Sequence, residues 1–147
     1  MTPPLAVLLS AVVLVIAGLH AYWGLGGCWP ATSAERLAKA VVGRTSIRHM
    51  PSPGACFLVA AMLAGVAAWP LFAAGLVPEP WPRRLTVLAG IGVAAVFVGR
   101  GLAGYTSAWR RRFSEEPFAR LDRLVYSPLC LLLGAGYTAL LFADRIP

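Results

Sequence analysis

Residues 4–25 read PLAVLLSAVVLVIAGLHAYWGL, a stretch with no charged side chain. A helix that crosses a bilayer needs about 20 mostly apolar residues, and this run supplies them. The same signature recurs. No charged residue occurs in Met50–Pro78, Leu85–Gly99 or Leu124–Ala143. Only 13% of the 147 residues are charged, about half the share of a typical soluble domain. A soluble chain of this size has nowhere to hide that much apolar surface, whereas a bilayer does. The expectation is one all-α domain over residues 1–147: an integral membrane bundle of four transmembrane helices, at about residues 4–25, 55–76, 85–105 and 124–142.

The net charge is +7, which by itself would suggest a nucleic-acid partner. The placement of the charges argues against one. Arg36, Lys39, Arg44 and Arg48 lie in the first loop, and Arg100, Arg110, Arg111, Arg112, Arg120 and Arg123 around the third. The opposite side holds only Arg83, Arg84 and Arg145. Cytoplasmic loops carry the excess of Lys and Arg. Loops one and three are therefore expected in the cytoplasm and both termini outside, in the cytoplasmic membrane. Lipids become the natural partners of the basic loops.

The long loops carry local signals. Thr32-Ser33-Ala34-Glu35 fits a capping box, with Thr32 as N-cap and Glu35 reaching back. A short amphipathic helix with Leu37, Ala38 and Val41 on one side is expected to follow and to stop at Gly43. Ser114 resembles an N-cap for a second short cytoplasmic helix, with Phe118, Leu121 and Val125 on one stripe. Pro128 is expected to kink the fourth span, which begins near Leu124 or Leu121. Gly99-Arg100-Gly101-Leu102-Ala103-Gly104 formally matches G-x-G-x-x-G, but it ends a membrane helix and lacks the βαβ setting of a dinucleotide fingerprint.

The residues able to do chemistry gather toward the basic side. They are His20, Tyr22 and Trp23 at the end of the first span, Arg100 near the end of the third, and Asp122 and Tyr126 at the start of the fourth. An intramembrane charge seeks a partner, which pairs Arg100 with Asp122. The plainer readings are an Arg100 that snorkels to headgroups, a His20 bonded to a backbone carbonyl or to Tyr126, and Tyr22 and Trp23 as interfacial aromatics. Cys28, Cys56 and Cys130 lack ligand-pair spacing, so a soft-metal site is a remote alternative and no cofactor is expected. Serine-hydrolase and paired-carboxylate schemes lack their parts.

The His20–Gly27 stretch, HAYWGLGG, taken with FARLDRLVYSPLC at 118–130, resembles an uncharacterised bacterial domain-of-unknown-function family of small four-helix integral membrane proteins. The resemblance spans the chain in length and helix order. It departs at Gly101–Tyr105, where the family's acid after the arginine is missing. It implies fold, membrane location and importance for His20, Tyr22, Trp23, Asp122, Tyr126 and Pro128, and no activity. The leading expectation is a protein that binds a lipophilic small molecule or a membrane-protein partner through a polar cluster lined by His20, Trp23 and Arg100. The alternatives are an enzyme acting on a lipid or isoprenoid with His20 as acid/base, and a structural subunit of a membrane complex.

Overall fold

The computed structural model describes residues 2–143. Arg145, counted above among the outer charges, lies outside them. Seven α-helices follow in order: α1 Thr2–Gly24, α2 Ala34–Val41, α3 Pro53–Ala73, α4 Arg83–Ala103, α5 Ser107–Arg112, α6 Phe118–Leu121 and α7 Ser127–Ala143. A π-helical turn, Asp122–Tyr126, joins α6 to α7. Four segments are long and apolar enough to cross a membrane: α1, α3, α4 and the continuous stretch Phe118–Ala143. The chain is an all-helical, multi-pass membrane bundle.

The bundle is built from two close pairs. α1 packs along α3 and α4 along α7, with thinner contacts between the pairs. Its core comprises residues such as Leu9, Val13, Trp69, Leu133, Tyr137 and Leu140. Tyr137 is fully buried and its hydroxyl donates to the Val66 carbonyl at 2.8 Å. Its ring stacks on Trp69 at 5.4 Å, and Trp69 Nε1 donates to the Thr86 carbonyl at 2.6 Å. Both polar tips are thus satisfied, as burial in an apolar medium demands. Gly90 makes room for Trp69, since a Cβ there would fall 2.0 Å from the indole. Leu8, Val15, Val96 and Leu132 point out of the bundle. Such a surface suits lipid tails and would be a liability in water.

Loop one starts its helix one residue later than the capping-box spacing suggests. Ser33, not Thr32, is the N-cap, and its hydroxyl accepts from the Arg36 N–H at 3.3 Å. Glu35 is then the second helical residue, one short of the position that reaches back. It pairs instead with Lys39 at 3.0 Å, and Thr32 accepts from the Arg36 guanidinium at 3.1 Å. Leu37 and Ala38 are buried.

The fourth span also differs from expectation. It begins at Phe118 and passes Pro128 without a break. Proline has no N–H for the helical bond one turn back. The wider π turn Asp122–Tyr126 immediately before it accommodates the defect. The extra residue in that turn shifts the register, so Val125 leaves the Phe118 stripe and is exposed, while Phe118 is buried. Ser114 caps no helix. Its hydroxyl meets that of Thr45 at 3.2 Å, and the Glu115 carboxylate accepts from the Ser46 N–H at 3.2 Å. These contacts knit loop three to loop one.

Candidate functional site

The polar residues at the basic end fall into two groups. The first is built on Arg100, in the last turn of α4, and Asp122, which opens the π turn. Their side chains form an ion pair at 2.5 Å. The other Asp122 oxygen accepts from Trp109 Nε1 at 3.0 Å. Arg100 also reaches the Ser127 hydroxyl at 3.4 Å, and its guanidinium lies 4.4 Å over the Trp109 ring. Asp122 is only 3% exposed, so both of its oxygens are committed to protein donors. Such a buried carboxylate, bonded to two protein donors, holds structure in place.

Two glycines of α4 and the turn after it let this cluster close. A Cβ on Gly104 would fall 1.8 Å from Ser127 Oγ and 2.9 Å from Asp122 Oδ2. One on Gly101 would fall 2.6 Å from Leu131 Cγ. The G-x-G-x-x-G pattern therefore serves close helix approach. Trp109 returns to the cluster because the helix stops at Gly104 and restarts at α5, capped by the Thr106 hydroxyl on the Trp109 N–H. The sequence marks Gly101 and Gly104, with the other glycines of this span, as places of close helix contact. It gives no role to Trp109, for which the Thr106 cap is the local signal.

The second group lines a cleft of about 290 Å³ between α1, α3 and the loop-one segment. Its walls include His20, Trp23, Val41, Val42, Met50 and Cys56. His20 Nδ1 lies 2.8 Å from the Ile16 carbonyl. A carbonyl only accepts, so Nδ1 carries a proton, and in the neutral form of the ring Nε2 is the acceptor. Nε2 has no protein partner among the described residues. Trp23 Nε1 donates to the Trp29 carbonyl at 2.8 Å, and the His20 and Trp23 rings meet at 4.9 Å.

Tyr22 belongs to neither group. It is exposed and its ring covers Gly27, where a Cβ would fall 2.1 Å from it. Tyr126 donates to the Ala40 carbonyl at 3.1 Å and packs on Phe118 at 5.8 Å. It therefore ties the fourth span to α2, whose next residues wall the cleft. No hydrogen bond, ion pair or ring contact joins His20 or Trp23 to Arg100 or Asp122 among the described residues. The physical reason is the helix pairing: His20 sits on α1 against α3, and Arg100 on α4 against α7. Cys28, Cys56 and Cys130 are all free thiols. Among the described residues no three His, Cys, Asp or Glu side chains are placed to hold a metal ion.

Comparison with curated proteins and with solved structures returns no match. The family described as "Protein of unknown function (DUF3995)" matches over residues 13–137, which takes in the second half of the first span, the second and third spans, most of the fourth, the cleft and the ion pair. The chain belongs to that family.

Proposed function

We propose that this multi-pass membrane protein binds a small lipophilic ligand in the cleft at His20, on the end that faces the cytoplasm. The cleft supports this most directly. Ligand sites are mostly apolar concavities with a few fixed polar groups. Here about 290 Å³ is walled by Val41, Val42, Met50, Pro51 and Val59, with one imidazole among them. Arg100, Asp122 and Tyr126 act as the frame. They fix the fourth span and, through Ala40, the short helix that forms one wall. The excess of Arg and Lys on the same end supports a cytoplasmic orientation, with both termini outside.

The test is to purify the full chain in mild detergent and identify what travels with it by native mass spectrometry. A bound lipophile is expected, and Val42→Trp, which fills the cleft, should deplete it. Equal retention by that variant would sink the proposal. A stoichiometric protein in place of a small molecule would favour the membrane-partner reading. The unpartnered Nε2 also suits a second reading, acid/base catalysis on a lipid. That reading requires His20→Ala to change the cellular lipid profile.

A further inference from the structure

The polar inventory of the cleft restricts what it accepts. Each uncommitted hydrogen-bonding group on one side needs a counterpart on the other, because an unpaired buried polar atom costs free energy. His20 Nδ1–H is spent on the Ile16 carbonyl and Trp23 Nε1–H on the Trp29 carbonyl. The Cys56 thiol lies 4.0 Å from the Pro51 carbonyl, a weak contact, and Met50 offers only a thioether. No charged side chain lines the cleft. What remains is one good side-chain acceptor, His20 Nε2, amid apolar walls.

We infer that the ligand is a neutral lipophile carrying a hydroxyl group, an isoprenoid-type alcohol or a phenol, whose O–H donates to His20 Nε2. This rests on the cleft being the ligand site. A carbonyl counterpart of the same ligand brings a second acceptor and leaves Nε2 unpaired. A carboxylate or phosphate brings a charge that no cation in the cleft neutralises. Trp23 contributes only the face and edge of its ring, since its N–H is taken. The Nδ1 bond to Ile16 fixes the tautomer and holds the ring, so the acceptor is set in place before the ligand arrives.

The experiment compares farnesol, farnesal, farnesyl phosphate and pentadecylphenol on the full detergent-solubilised chain, with affinities read by native mass spectrometry titration. Farnesol should bind about fivefold tighter than farnesal, as one net hydrogen bond implies, and farnesyl phosphate weakest. His20→Phe should erase the alcohol-over-aldehyde preference and leave farnesal within about twofold. If that variant fails to fold, His20→Leu, smaller and with no polar atom, also removes the Nε2 acceptor. Farnesol and the phenol both support the hydroxyl assignment, and their ranking says which body fits the walls. Equal binding of alcohol and aldehyde, tighter binding of the phosphate, or a preference that survives at His20→Phe or His20→Leu overturns the inference alone. Binding of no probe, or binding indifferent to Val42→Trp, overturns the cleft itself as the site.

Discussion

The Arg100–Asp122 pair offers the sharpest energetic test. Asp122 is 3% exposed and the Arg100 side chain 28%. Removing the cation by Arg100→Leu leaves a buried carboxylate with only the Trp109 donor, a loss of about 3–5 kcal/mol in comparable buried pairs. The lower end applies here, because the arginine keeps some contact with the surroundings and Trp109 still donates. Removing the anion by Asp122→Leu costs less, about 1–2 kcal/mol, since a freed Arg100 at a helix end can extend toward the headgroups. The double variant Arg100→Leu/Asp122→Leu leaves no orphaned charge and should recover about 2 kcal/mol relative to the sum of the singles. For a chain of this length about 3 kcal/mol is about 6–12 °C in melting midpoint. Thermal unfolding followed by size-exclusion fluorescence in one detergent measures all four proteins. Strictly additive losses, or an Arg100→Leu midpoint equal to the parent's, would refute a buried, mutually dependent pair.

Three further outcomes follow from the packing. Gly104→Ala should destabilise at least as much as Arg100→Leu, because its Cβ would sit 1.8 Å from Ser127 Oγ; adding Ser127→Ala should restore part of the midpoint by removing that oxygen. Tyr137→Phe should cost about 1 kcal/mol, the net value of its bond to Val66, seen as a midpoint drop of about 2–4 °C. Burial would raise the pKa of Glu79, but hydrogen bonds from Thr86 and Arg83, with the Arg83 charge, outweigh it and leave it below its ordinary 4.5. A lowered folded-state value adds stability above the unfolded pKa and loses it as pH falls through the folded one. The midpoint should therefore hold steady above about pH 5 and decline below it, and Glu79→Gln should flatten that acid limb.

The membrane fold was legible because charge-free runs near 20 residues have one common physical explanation. The Arg100–Asp122 pairing was legible too, as opposite charges at the ends of two spans on the same side. Three things were hidden. The π turn arises from a proline whose lost bond can be repaired in several ways, and only packing selects one. Trp109 joins the ion pair through a helix break that Gly104 and Thr106 allow without dictating. The separation of His20 from Arg100 depends on which spans pair. A lipid-facing helix is apolar all round, so its sequence carries little record of which neighbour it touches. The capping register slipped by one because Thr32 and Ser33 are near-equal caps, and the Lys39 pair at Glu35 accompanies the later start.

The two-pair architecture bears on how the chain is made. Synthesis delivers α1 and α3 first, and their mutual contacts are complete once residue 73 has left the ribosome. The second pair has no such independence. Arg100 enters the bilayer before Asp122 exists, and its counter-charge arrives only as the fourth span is translated. During that interval the arginine can turn to the aqueous boundary, which its place in the last turn of α4 provides. Insertion of the third span is thus provisional, and it is secured when the fourth delivers the acid.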